Sequence, residues 1–139
     1  MSVLTVLIDT DVLIDSMTNR EPFTRNAKDL IDKSHKKAIN AYLAPHSISN
    51  IFYILRKVYS VSERKQALFD LCQSVSIAFM GKEAVFNALT DENFDDIEDG
   101  LQAECAKAVN ADYIVTRDIE DYIRSPIPAI SPGDLLERI

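Results

Sequence analysis

Aspartates close two apolar runs that lie at opposite ends of this chain. Val3-Leu4-Thr5-Val6-Leu7-Ile8 meets Asp9, and Tyr113-Ile114-Val115-Thr116 passes through Arg117 to Asp118. In a parallel α/β sheet, ligands bind outside the carboxyl ends of the strands. Carboxylates delivered there by separate strands repel and raise one another's pKa, and a divalent cation relieves that repulsion. A third source of acid is the run Asp91-Glu92-Asn93-Phe94-Asp95-Asp96-Ile97-Glu98-Asp99. Acids in the first turn of a helix complement its dipole, but six in nine residues exceed what a cap requires. Asp99 is the inward candidate, since it shares a side with Ala103 and Ala106 of the helix that follows. Asp95 and Asp96 read as that helix's cap and loop, and Asp11 reads as the cap or turn residue after Asp9. Asp9, Asp99 and Asp118, with Asp96 and Glu98 as further candidates, are hard oxygen ligands suited to Mg²⁺ or Mn²⁺. Thr10, next to Asp9, and Thr116, two residues before Asp118, are placed to hydrogen-bond the carboxylates. Such a site supports attack of a metal-activated water on a phosphodiester.

The elements that must position these acids alternate along the chain. A strand over 3–8 is followed by a helix over 24–34, with Ala27, Leu30, Ile31 and Ser34 on one face. A short strand spans 41–44, and Pro45 stops it. Ile48, Ile51, Phe52, Leu55 and Val58 share a face of a helix over 47–59, with Ser47 as its N-cap. A third helix carries Ala67, Leu68, Leu71 and Cys72; its Ser62 and Lys65 do not make a capping box. A strand over 75–79, helices over 82–90 and 99–109, a strand over 113–116 and a turn or short helix over 118–123 complete the alternation. Residues 126–130 suit an edge strand, where proline is tolerated. This order implies a three-layer α/β/α sandwich around a mostly parallel sheet, in a single domain over 1–139.

Composition narrows the setting. The net charge of −7 argues against broad electrostatic binding of nucleic acid through a basic face. Clustered site acids inflate that figure, so it leaves a nuclease open. Lys33-Ser34-His35-Lys36-Lys37 and the set Arg56, Lys57, Arg64 and Lys65 read as solvated faces. Cys72 and Cys105 lie in apolar surroundings without metal spacing and read as small hydrophobes. His35 reads as a surface residue and His46 as one at a helix start. Neither a long apolar span nor a signal-peptide pattern is present, which predicts a cytoplasmic protein with no membrane partner.

Four segments together resemble the PIN domain, the small metal-dependent ribonuclease fold that includes the VapC-type toxins. They are Leu7-Ile8-Asp9-Thr10-Asp11-Val12-Leu13-Ile14-Asp15, Ile48-Ser49-Asn50-Ile51-Phe52-Tyr53-Ile54-Leu55-Arg56-Lys57, Phe94-Asp95-Asp96-Ile97-Glu98-Asp99-Gly100-Leu101-Gln102 and Ala111-Asp112-Tyr113-Ile114-Val115-Thr116-Arg117-Asp118. The resemblance implies Mg²⁺ or Mn²⁺ at a carboxylate cluster, endonucleolytic cleavage of RNA, an antitoxin partner and a homodimer. Asp9, Asp99 and Asp118 match the family's acidic positions. Asn50 stands where many members carry a glutamate, so it brings a carbonyl to the site in place of a charge. Two other functions compete. A PIN-like scaffold would bind RNA or protein without cutting. A haloacid-dehalogenase-like phosphatase would use Asp9 as nucleophile and Asp11 as general acid, although Asp118-Ile119-Glu120-Asp121 matches that family's later acidic motif poorly.

Overall fold

Four consecutive residues, Thr5–Ile8, form the central strand β1, and Val6, Leu7 and Ile8 are wholly buried. Successive strand side chains point to opposite faces, so burial of all three requires cover on both sides, as parallel sheets have. The structure, a computed structural model, describes residues 3–139; Met1 and Ser2, which the single-domain expectation includes, lie outside the described residues. The elements after β1 are α1 (Thr10–Met17), α2 (Thr24–His35), β2 (Asn40–Leu43), α3 (Pro45–Ile54), α4 (Val61–Ser74), β3 (Ser76–Ile77), α5 (Lys82–Thr90), α6 (Ile97–Ala108), β4 (Tyr113–Val115), β5 (Ala129–Ile130) and α7 (Pro132–Leu136). Single 3-10 turns follow α3 (Leu55–Lys57) and β4 (Ile119–Tyr122).

The strands lie in the order β3-β2-β1-β4-β5, and every pairing is parallel. One face of β1, through Val6 and Ile8, packs in a core with Val12 and Leu13 of α1, Leu30 of α2, Ile51 of α3, Leu68 and Leu71 of α4 and Leu135 of α7. The other face, through Leu7 and Ile114, packs with Cys105 and Ala106 of α6 and with Tyr122. These are the three layers anticipated from the alternation. The chain first builds outward from β1 to β2 and β3, then crosses back to place β4 on the far side of β1. The β1/β4 junction is therefore the topological switch point, where open α/β sheets bind ligands.

Several boundaries differ from the sequence-based expectation for local reasons. The helix read as 47–59 starts at Pro45, whose missing N–H costs nothing at the first helical position, and its regular part ends at Ile54. Ser47 is thus inside α3 and is not its cap. The capping box of α4 is made by Ser60 and Glu63, two residues earlier than Ser62 and Lys65 suggest. The strand expected over 75–79 is reduced to Ser76 and Ile77, and the edge strand expected over 126–130 to Ala129 and Ile130. α6 ends in a Schellman motif. Asn110 takes the left-handed backbone (φ 53°), while Ala111 N donates to Ala106 O and Asn110 N to Lys107 O. That turn redirects the chain into β4 and so to Asp118.

Candidate active site

Register brings the first acid into place. Ile8 pairs with Val115 across β1 and β4, so the next residues, Asp9 and Thr116, emerge side by side. Asp9 N donates to Val115 O (2.9 Å), and the Thr116 hydroxyl donates to Asp9 Oδ2 (2.9 Å). The other carboxylate oxygen, Oδ1, accepts from Thr10 N (2.8 Å), which makes Asp9 the N-cap of α1. The cap expected at Asp11 is therefore provided by Asp9, because the helix starts at the residue immediately after the strand. Asp9 is buried, and burial raises its pKa against the opposing pull of these donors.

Asp11, displaced from the cap, turns inward. Both its oxygens are sealed from solvent and find no hydrogen-bond donor; they face the carboxyls of Asp9 and Asp118. Burial first, and then those two acids, push its pKa up to about 7, with Arg117 acting in the opposite sense. Asp118 is held by its backbone N–H, which donates to Thr116 Oγ1 (3.0 Å). On the other side of Asp9, the Tyr122 hydroxyl donates to Asp99 Oδ1 (3.3 Å) and also faces Asp9. Burial, Asp96, Asp9 and Asp121 raise Asp99 to about 7. Burial and the two acids also raise Tyr122, which keeps it a protonated donor. The charges of Asp9 and Asp118 thus act on Asp11 and that of Asp9 on Asp99, which links the four carboxyls into one run at the switch point through their pairwise influence.

The remaining candidates divide. Asp96 caps α6 through Glu98 N (2.8 Å), as read from the sequence, and its charge reaches Asp99. Glu98 acts electrostatically on Asp9 and on His46. His46 has both ring nitrogens sealed and unpartnered, and its burial lowers its pKa. The Thr10 hydroxyl departs from expectation. It bonds Ser47 Oγ (2.8 Å) and accepts from Gln102 Nε2 (3.1 Å), leaving only its backbone N–H for Asp9. Gln102 Nε2 also donates to Ser47 Oγ (3.0 Å), so the triad ties α1, α3 and α6 together directly beneath the acids. Sequence reading missed Asp11 as a site acid and missed Tyr122, Ser47 and Gln102. The spacing of Asp9 and Asp11 at the start of a helix was the signal for the first; nothing local marks the others.

A family model described as PIN domain matches residues 5–120. The chain belongs to the PIN domain family. Curated protein sequences contain no match to it. Solved structures share its fold at low identity. VapBC2 from Rickettsia felis, solved bound to a DNA fragment from its promoter, is 15% identical with a TM-score of 0.71, covering 92% of this chain and 98% of that one. VapBC-1 from nontypeable Haemophilus influenzae is 13% identical with a TM-score of 0.70, covering 94% and 99%. VapC20 from Mycobacterium tuberculosis, described as a Sarcin-Ricin loop cleaving toxin, is 12% identical with a TM-score of 0.62, covering 78% and 86%.

PIN nucleases use a divalent cation, and the donors at this switch point fit one. The Asp11 carboxylate oxygens are buried without a hydrogen-bond partner, and the charges of Asp9 and Asp118 act on them. A hard cation is the group that satisfies such a set of oxygens. Among the described residues, no three acids, histidines or cysteines are arranged to ligate one ion by themselves. Among the described residues, no helix is long and apolar enough to cross a membrane.

Proposed function

We propose that this PIN domain is a metal-dependent endoribonuclease that cleaves single-stranded RNA in the cytoplasm, as the toxin of a toxin–antitoxin pair. The observation that carries the reading is the run Asp118–Asp11–Asp9–Asp99 at the switch point, with Asp11 lacking any donor. Asp9, Asp99 and Asp118 are the catalytic acids and, with Asp11, the set from which one or two carboxylates would bind Mg²⁺ or Mn²⁺ directly, with water in the other positions. Asp96 and Glu98 supply further negative charge at the rim, and Thr10, Thr116 and Asn50 support the set. A bound cation would supply an activated water as nucleophile and stabilise the leaving oxygen of the phosphodiester. The protein's own part is positioning. Thr116 and Thr10 N fix both oxygens of Asp9. Thr116 also accepts from Asp118 N, so one hydroxyl sets two acids. The Tyr122 Oη proton orients Asp99 Oδ1. An antitoxin is the expected protein partner, supported by the VapBC complexes that share the fold, and a second copy of this chain is expected with it from the family resemblance alone.

The phosphatase alternative uses the same Asp9 and Asp11 differently. It predicts a phosphorylated Asp9 and release of phosphate from small monoesters, whereas the nuclease forms no covalent intermediate with a side chain. Purified protein is therefore incubated with Mn²⁺ and either an RNA pool or a generic phosphomonoester. Chelator-sensitive RNA cleavage with no phosphate release is the expected result. Phosphate release that depends on Asp9, without RNA cleavage, would refute the nuclease. A PIN-like scaffold, for which Asn50 speaks, would be silent in both assays.

A further inference from the structure

A cluster of opposite charge stands at one end of the acidic run, and the mechanism above does not use it. Arg117 leaves β4 between Thr116 and Asp118, and its guanidinium is fixed on three sides. Nε donates to Asp15 Oδ2 (2.7 Å), Nη2 to Asp15 Oδ1 (3.4 Å), and Cζ lies 4.1 Å from the centre of the Phe23 ring. Asp15 follows Asp11 by four residues in α1, one helical turn away on the same side. The charge of Arg117 reaches Asp11 across that turn. A second arginine, Arg20, approaches the same Asp15 carboxylate at 3.9 Å.

The charge count is uneven. Asp15, with a side chain only 1% exposed, neutralises one arginine, and two converge on it. The side chains of Arg117 and Arg20 remain 27% and 43% exposed, so one unit of positive charge faces solvent beside the carboxyl run of a chain whose net charge is −7. A structural ion pair needs only one of these cations. The stack on Phe23 and the pairing of Nε and Nη2 hold the Arg117 plane in place, and these bonds do not use Nη1. A pre-oriented guanidinium fork matches the oxygens of a phosphate.

We propose that Arg117 and Arg20 form a phosphate-binding pair that holds the RNA backbone one position away from the bond to be cut. Asp15 and Phe23 serve as the mount that aims Arg117. The inference rests on the nuclease reading above, since it assumes that a nucleic-acid strand crosses the acids. On this view the strand is gripped by the arginines at one end of the cleft and meets the carboxyl run at the other.

The test measures binding apart from cleavage. Fluorescence anisotropy of a labelled single-stranded RNA of mixed sequence is followed in Ca²⁺ over a range of salt, for the wild type, R20Q, R117Q and R117K. Each lost phosphate contact should flatten the slope of log Kd against log salt by about 0.7. R20Q and R117Q are expected to show that loss together with weaker binding. R117K should keep the slope and still bind less tightly, because a lysine retains the charge without the fork. Arg20 is exposed enough that R20Q tests the proposal even if R117Q fails to fold. Wild-type slopes in R20Q and in folded R117Q would overturn the proposal and leave the nuclease reading standing. A wild-type protein that binds no RNA would remove that reading and the proposal with it.

Discussion

Asn50 lies four residues after His46 and three after Ser47 on α3, so it shares the side of the helix that carries the bond from Ser47 to Thr10. His46 on that side is within reach of the Glu98 charge, and Asn50 itself is half-exposed. A carboxylate at this position would add charge to a site that already holds the Asp9–Asp11–Asp118 group. Asn50→Glu is therefore expected to tighten Mn²⁺ binding in a calorimetric titration, and an unchanged affinity would place residue 50 outside the site. Asp9 and Asp118 were legible because an acid after an apolar run marks a strand end. Asp11 was not, since its role depends on which of two nearby aspartates caps α1, and that is decided by where β1 ends. Tyr122 and Arg117 were equally hidden, because their partners lie 23 and 102 residues away in the chain.

Between elements, the decisive feature is the bond set among Thr10, Ser47 and Gln102, which are all buried. It fixes α6, and with it Asp99, against α1 and α3, where apolar packing alone would allow sliding. Gln102→Ala removes two hydrogen bonds and leaves a cavity, so a loss of about 2–4 kcal/mol is expected. Urea midpoints for the variant and the wild type measure it. An unchanged midpoint would mean that α6 is held by its apolar face alone. The three-layer sandwich and helices α2 to α6 followed from alternating periodicity, α5 with its observed limits, 82–90, whereas α1 over Thr10–Met17 and the order of the strands in the sheet did not. The two edge strands were read longer than their two observed residues, and the five-residue α7 left too few residues for any period to show.

For the molecule as a whole, the acidic run links stability to pH. Asp11 and Asp99 are raised to about 7 from an ordinary value of 3.8, and Asp9 is raised as well. Between those values the folded chain holds protons that the unfolded chain has released, so stability falls as pH rises from about 4 to about 7. With chelator present, the melting temperature should be higher near pH 5.5 than near pH 8, and Mn²⁺ should recover the loss at about pH 8 by replacing the protons. A melting temperature that rises across this window without metal would show that the carboxyls do not repel one another. The same run accounts for part of the net charge of −7, and the arginines at its edge supply the local exception that composition cannot reveal.

The most direct measurement compares wild type and Asp9→Asn for cleavage of an end-labelled single-stranded RNA in Mn²⁺. An asparagine at position 9 keeps an oxygen for Thr10 N and a polar group for Thr116, so the cap of α1 and the fold should persist, as circular dichroism would confirm. What it loses is the charge that serves the cation. The account predicts internal cuts by the wild type that cease with chelator, and none by Asp9→Asn at an unchanged melting temperature or a higher one. Cleavage by the variant at the wild-type rate would contradict the claim that this carboxyl run is the active site.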